Sequence, residues 1–182
     1  MAPPVRTSRQ LWIDTGLDLL ATEGPGAVRV EVLAQRLGVT RGGFYRQFGG
    51  RAEFVDAMLD AWEQRSTDDV RRRVEAEGGD AAGKARKAGM LTFAPDLLPI
   101  DLAVREWARR DAKVAARLRR VDNRRMDYLR ELISTLSGDA GDVEARAMLA
   151  FSLVIGDHLI AADRLVGGRA RILRDATRLI LG

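Results

Sequence analysis

The sequence predicts an all-α protein of about nine helices. Apolar residues recur at intervals of three and four along most of the chain, which is the spacing of one buried helix face. Glycine-rich breaks separate these stretches near residues 24–26, 78–83 and 137–141. No stretch of useful length alternates apolar and polar residues as a half-buried strand would. A chain of 182 residues is also long enough to bury a sizeable core.

Most of the predicted helices begin or end at residues that favour helix termini. In the first helix Ile13, Leu17 and Leu20 share one face, and the glycines that follow should end it. Asp111 and Asp142 are expected to cap the seventh and eighth helices through their side-chain oxygens. In chain order we predict helices at about residues 8–23, 30–37, 41–46, 51–77, 84–93, 100–107, 111–136, 142–165 and 169–181.

Residues 29–51 are the most informative segment for function. Val30, Leu33 and Ala34 are spaced as one buried helix face. Gly38 should end that helix, because glycine readily adopts the left-handed conformation found at helix C-termini. The side-chain oxygen of Thr40 is then expected to accept hydrogen bonds from the free N–H groups of a second short helix. Two short helices joined by a tight turn predict a helix-turn-helix.

The second helix of this motif has the composition of a helix that reads DNA. It carries Arg41 and Arg46, with Arg51 just beyond it, and no acidic residue lies between 41 and 51. Gly42 and Gly43 each cost about 1 kcal/mol relative to alanine in a helix interior, which a purely structural helix has little reason to accept. Without side chains there, the backbone could lie close to a DNA major groove, which is wide enough to admit a helix.

Residues 33–59 resemble the N-terminal signature of the TetR family of transcriptional regulators, with the run LAQRLGVTRGGFYRQFGGRAEFVDAML. Two positions depart from the family pattern. Gln47 stands where histidine is usual, so an imidazole–phosphate contact becomes at most a contact from a neutral amide. Arg29 stands where serine or threonine usually caps the second helix. The residues that match the pattern are Ala34, Leu37, Gly38, Val39, Thr40, Phe44, Tyr45, Phe48 and Arg51.

The resemblance extends into the rest of the chain, since residues 84–136 are similar to the regulatory domain of one TetR subgroup. It implies a DNA-binding domain over residues 1–50 and an effector-binding and dimerisation domain over residues 51–182. It further implies a dimeric repressor that a small-molecule effector releases from a double-stranded DNA operator. The alternative is a helical adaptor whose basic motif binds protein rather than DNA.

Side-chain chemistry divides the expected DNA contacts into two kinds. Arg41 could read guanine O6 and N7 with its two-pronged donor set. Tyr45 and Arg51 suit phosphate contacts, which set register but carry no sequence information directly. The alternative is that Phe44 and Tyr45 are core aromatics and that the arginines only form a solvated helix face. The predicted DNA-binding residues are Arg29, Thr40, Arg41, Gly42, Gly43, Tyr45, Arg46, Gln47 and Arg51.

The predicted eighth helix is apolar almost all round between residues 147 and 162. Such a helix must be covered on both sides, and a second chain is the simplest cover, although burial within one chain is the alternative. Together with the last helix it would build the four-helix dimer interface that the resemblance implies. The interface candidates are Phe151, Leu153, Ile155, Leu159, Ile172, Ala176, Leu179 and Ile180.

Methionine, aromatic and histidine side chains mark candidates for an effector pocket, because such residues suit adaptable apolar binding surfaces. The same residues would also simply fill a core. The candidates are Met90, Phe93, Trp107, Met126, Tyr128, Phe151 and His158.

Several classes of function are excluded or disfavoured. His158 is the single histidine and cysteine is absent, so we expect no metal site, which needs several ligands, and no other cofactor. No glycine-rich phosphate loop and no hydrolase or metalloprotease signature is present, so we do not expect an enzyme. No apolar run approaches the roughly 18 residues of a membrane span. The start MAPPVRTSRQ has no apolar signal core, which favours the cytoplasm.

Overall fold

The computed structural model describes residues 7–163 and 166–181. These residues form ten helices and no strand, which confirms the all-α class. One more helix is present than predicted, because the stretch 51–77 is interrupted at Thr67, whose backbone leaves the helical region. The helices are α1 Arg9–Glu23, α2 Val30–Leu37, α3 Arg41–Tyr45, α4 Arg51–Ser66, α5 Asp68–Glu77, α6 Ala81–Thr92, α7 Leu98–Ala108, α8 Ala112–Ile133, α9 Ala140–Leu159 and α10 Arg169–Leu181.

Two helices begin earlier than predicted because a preceding aspartate caps them. The Asp80 carboxylate accepts the Gly83 N–H at 2.7 Å, so α6 starts at residue 81 rather than at 84. The Asp139 carboxylate accepts the Asp142 N–H at 2.9 Å, so Asp139 is the cap of α9, and the prediction that Asp142 caps it is wrong. Both carboxylates satisfy N–H groups that lack a partner in the first helical turn.

The helix α9 ends at Leu159 rather than near residue 165, and residues 164 and 165 lie outside the described part of the chain. Arg169 provides the physical reason. Its guanidinium donates to the backbone carbonyls of Asp157 at 2.7 Å, Ile160 at 2.6 Å and Ala162 at 3.0 Å. These carbonyls need no further helical turn to be satisfied.

The chain divides into two compact units. The first unit comprises residues 1–66 and 95–119, and the second comprises residues 67–94 and 120–182. The division at residue 50 made from the sequence concerns function, and it stays a prediction. In the first unit α1 packs against α2, α4 and α7. An alanine Cβ at Gly16 would lie only 2.6 Å from Phe54 Cζ, so α1 and α4 approach closely at this glycine.

In the second unit α5 packs against α6, and α9 packs against α10. An apolar cluster forms its core and draws on α5, α6, α8, α9 and α10. Two of the predicted pocket residues, Met126 and Tyr128, belong to this cluster. A third, Phe151, packs at its edge.

Candidate nucleic-acid interface

A cluster of buried aromatic rings fixes the orientation of the short helix α3. Phe44 is fully buried, and its ring centroid lies 5.5 Å from that of Trp12, 5.1 Å from Phe48 and 5.4 Å from Phe54. These distances are typical of stabilising aromatic pairs. Phe48 is also buried. A five-residue helix has little stability of its own, so this cluster determines which face of α3 is presented to solvent.

The face of α3 opposite the aromatic cluster is open to solvent. Arg41, Gly42, Tyr45 and Arg46 are exposed, and 59 % of the Tyr45 surface is accessible. The structure therefore separates the two aromatic neighbours, since Phe44 belongs to the core and Tyr45 does not. An exposed surface of this kind is what contact with a DNA groove requires.

Internal packing does not explain the paired glycines. A Cβ at Gly42 would meet only the Thr40 hydroxyl oxygen, at 3.7 Å, and a Cβ at Gly43 would lie 3.6 Å from the Trp12 ring. Both distances are ordinary van der Waals contacts, and neither glycine has a positive φ. Alanine would fit at both positions and favour the helix by about 1 kcal/mol each. No steric contact or backbone conformation within the described residues therefore requires glycine at either position.

The first residue of α3 forms an ion pair with the preceding helix. Arg41 Nη1 lies 3.4 Å from Glu31 Oε1. A hydrogen bond from its own backbone, followed by the Arg41 hydrogen bond, holds the pKa of Glu31 below its usual range. The pair was not predicted, because the two residues are ten positions apart and lie on different helices.

Neither α2 nor α3 has a side-chain cap at its start. Thr40 occupies the N-cap position of α3, but its hydroxyl makes no capping hydrogen bond, so the prediction of a side-chain cap is wrong. Its carbonyl oxygen accepts the Gly43 N–H at 3.0 Å instead. Arg29, at the N-cap of α2, is exposed and likewise makes no side-chain cap.

Arg51 contacts the loop between α1 and α2. Its Nε donates to the Val28 carbonyl at 2.9 Å and its Nη2 donates to the Pro25 carbonyl at 3.4 Å. The guanidinium thus braces this loop, a role that sequence reasoning did not foresee. The bracing keeps Arg51 at the start of α4, where it is still exposed.

Arg9 is a residue at this surface that sequence reasoning missed. Its Nη1 donates to the Gln47 carbonyl at 2.7 Å, and its guanidinium carbon lies 4.2 Å from the Phe48 ring centroid. Gln47 itself is half-buried. The Arg9 contacts span 38 residues of sequence, so no local pattern could have indicated them.

The pocket candidates do not form one group. Met90 is directed to solvent with 71 % of its surface exposed, so it lines no interior of the second unit. Trp107 belongs to the first unit. Met126 and Tyr128 fill the core of the second unit, as the alternative interpretation held. The Tyr128 hydroxyl donates to Glu75 at 2.7 Å, and burial followed by this contact raises the pKa of Tyr128.

Two of the pocket candidates lie together in the second unit. The ring centroids of Phe93 and His158 are 5.8 Å apart. The guanidinium of the buried residue Arg125 lies 5.6 Å from the Phe93 ring and pairs with Asp122 at 3.2 Å. Phe93 is buried and His158 is exposed, so this small cluster reaches from the interior to the surface of the unit.

The dimer candidates divide between buried and exposed positions. Phe151 and Ile180 are partly buried and pack against the core of their own unit. Leu159 and Leu179 are 65 % and 86 % exposed, and Ile172 is at the limit of exposure with 36 %. The candidates Leu153, Ile155 and Ala176 are half-buried. Two further exposed apolar residues on α9, which were not predicted, are Met148 and Leu149.

Comparison with known proteins assigns this helix-turn-helix to a family. Residues 13–58 match the model of the bacterial regulatory proteins of the tetR family. The match runs from α1 into α4 and so covers the whole helix-turn-helix. No curated protein sequence matches the chain.

Solved structures share the fold over nearly the whole chain. A transcriptional regulator from Saccharomonospora viridis in complex with choline is 17 % identical, with 94 % of this chain and 92 % of that chain covered and a TM-score of 0.73. PfmR from Thermus thermophilus is 17 % identical, with 96 % of each chain covered and a TM-score of 0.68. AibR, solved with isovaleryl coenzyme A and operator DNA, is 15 % identical, with 95 % and 97 % covered and a TM-score of 0.68.

Two further properties concern the described residues only. None of their helices has both the length and the apolarity needed to cross a bilayer. No group of three or more histidine, aspartate or glutamate side chains among them is arranged to hold a metal ion.

Proposed function

We propose that this protein is a homodimeric repressor that binds an operator through α3 and is released from it by a small-molecule effector. The observation that carries the proposal is the solvent-exposed face of α3, where two glycines without an internal role lie between Arg41 and Tyr45. In a dimer two such helices would enter successive major grooves about 34–36 Å apart on a near-palindromic site. Such a function would place the protein in the cytoplasm with the DNA.

Specific and positioning contacts are assigned to different residues of this surface. Arg41 would read a base edge, and the exposed Tyr45 hydroxyl and Arg46 would contact phosphates. The backbone at Gly42 and Gly43 would approach the groove without obstruction from side chains. The guanidinium of Arg29, which no capping bond occupies, would add a phosphate contact.

The proposed dimer interface consists of exposed and half-buried apolar side chains of α9 and α10. Met148, Ile155 and Leu159 lie at i, i+7 and i+11 along α9 and so share one face. Ile172 and Leu179 are likewise seven residues apart on α10. An exposed apolar patch of this kind is typical of a protein–protein interface.

The proposed effector site lies in the second unit, near Phe93 and His158. Two proteins of the same fold were solved with choline and with isovaleryl coenzyme A, which supports binding of a small organic molecule without identifying it here. An effector would release the operator only to the extent that it binds the DNA-free conformation more tightly than the DNA-bound one.

A gel-shift assay with the DNA that flanks the gene of this protein tests the proposal. We expect a sequence-specific complex that unlabelled random DNA does not displace, and whose affinity falls steeply with added salt as phosphate contacts release counterions. A dimeric protein that binds no DNA would instead favour the protein-binding adaptor. Thermal-shift screening of small organic molecules, followed by addition of each hit to the DNA complex, tests release by an effector.

A further inference from the structure

The structure points to Glu31 as a residue that determines DNA sequence specificity by positioning Arg41. We infer that the Glu31 carboxylate holds one side of the Arg41 guanidinium, so that the other side is presented to a guanine. This inference rests on the proposed function, because it requires that α3 enters a major groove. It adds a residue on α2, outside the recognition helix, to the determinants of operator choice.

The geometry of the ion pair leaves one recognition edge of the guanidinium available. The carboxylate contacts Nη1, at 3.4 Å. A guanidinium presents two pairs of parallel N–H groups, one formed by Nη1 with Nη2 and the other by Nη2 with Nε. The Nη2–Nε edge of Arg41 has no partner among the described residues. This free edge has the two donors that guanine O6 and N7 accept.

Glu31 is itself held in place. It lies in the first turn of α2, where the helix dipole favours a negative charge. The hydrogen bond within its own backbone and the contact with Arg41 both lower the pKa of Glu31. The acceptor is thus fixed to a helix that packs against α3, and a fixed acceptor restricts the rotamers of a long, mobile arginine.

The restriction of the Arg41 rotamers matters for base recognition because α3 has few other long side chains. The two residues after Arg41 are glycines, so Arg41 is the one long side chain in the first turn of the helix. The other arginine, Arg46, donates its Nε back to the Gly42 carbonyl at 3.4 Å. Base discrimination by this helix therefore depends strongly on how Arg41 is oriented. Both partners of the pair are about two-thirds exposed in the free protein, where such a pair contributes little to stability.

Base-substituted operators test the inference. Each base pair of the operator half-site is replaced in turn, and affinities are measured by fluorescence anisotropy for the wild type, Glu31→Gln, Arg41→Ala and the double variant. The discrimination ratio is the affinity for the operator divided by that for a substituted operator. Glu23→Gln is the matched control, because Glu23 forms an exposed ion pair with Arg36 in the same unit and its substitution changes the net charge identically.

We expect the wild type to discriminate at one guanine of each half-site by about five- to 150-fold. Glu31→Gln should lower this ratio by about three- to fivefold, as loss of an exposed ion pair would, and Glu23→Gln should leave it unchanged. In the Arg41→Ala background Glu31→Gln should have no further effect on that ratio. Thermal unfolding of Glu31→Gln should match that of Glu23→Gln.

Four results would overturn the inference. An unchanged ratio in Glu31→Gln would show that Arg41 needs no positioning. An equal loss in the Arg41→Ala background would show that Glu31 reads a base by itself. Operator binding without dependence on any guanine would remove the role of Arg41 but leave the proposed function intact, whereas absence of specific operator binding would overturn both.

Discussion

Replacing Tyr45 by alanine should separate DNA binding from folding. The Tyr45 side chain is 59 % exposed. Its one aromatic contact among the described residues is an edge-on approach to Phe44, with 5.3 Å between ring centroids. Loss of such a pair costs about 0.5–1.5 kcal/mol. We therefore expect Tyr45→Ala to lower the free energy of unfolding by no more than this amount.

Phe44→Ala is the contrasting variant. Phe44 is adjacent in sequence but fully buried among three further aromatic rings. Removing a buried phenylalanine costs about 3–5 kcal/mol through lost burial and the cavity left behind. Urea unfolding should therefore show a small shift for Tyr45→Ala and a large one for Phe44→Ala.

Operator binding, unlike folding, should depend strongly on the Tyr45 side chain. A hydrogen bond to a charged group contributes about 1.5–3 kcal/mol, and a symmetric dimer would lose it twice. We expect the affinity of Tyr45→Ala for the operator to fall by at least about 100-fold in fluorescence anisotropy, a loss of about 3 kcal/mol or more. Tyr45→Phe, which lacks only the hydroxyl, should show most of the same loss. Wild-type affinity in a folded, dimeric Tyr45→Ala protein would refute the placement of this face of α3 on DNA.

Three further predictions concern the dimer and the stability of each unit. Leu179→Glu should convert the dimer to monomer in sedimentation analysis with little change in secondary structure, because this side chain is 86 % exposed in the single chain; Arg174→Glu on the same helix should stay dimeric. Arg117→Met should lower the stability of the first unit by about 1–2 kcal/mol, since Arg117 pairs with three carboxylates of α4. An unchanged midpoint of urea unfolding would contradict this prediction. The pKa of Glu75 is held below 4.5, first by the Lys84 hydrogen bond and then by that of Tyr128. The ionised carboxylate therefore stabilises the folded protein above that pH, and this contribution is lost as the pH falls through the lowered pKa. Glu75→Gln should flatten the acid side of the pH–stability curve.

The sequence predicted the helix-turn-helix well because its signals are local. Gly38 ends α2 in the left-handed conformation, with φ of 66°. Terminal signals of this kind act within three or four residues, so they can be read without knowledge of the fold.

Predictions failed where a distant residue decides the local structure. Arg169 ends α9 by binding carbonyls up to twelve residues away, whereas the apolar pattern alone indicated a longer helix. The contact of Arg51 with the Val28 carbonyl, 23 residues away in sequence, was not predicted either. Such contacts depend on tertiary packing, which periodicity does not encode.

The pocket candidates lie in several different environments, which the sequence did not distinguish. Methionine and aromatic residues suit a core as well as a ligand site, and periodicity does not say which. Tyr128 belongs to the core of the second unit, while Met90 faces solvent. Only coordinates could separate these environments.

Methylation interference on the operator is the most direct test of the claim that α3 lies in a major groove. Methylation of guanine N7 blocks a major-groove acceptor without changing base pairing, and N7 is one of the two atoms that Arg41 would contact. We predict that methylation of one guanine in each half-site prevents binding of the wild type and that Arg41→Ala is insensitive to it. Full binding of the wild type to DNA methylated at every guanine N7 would contradict the account.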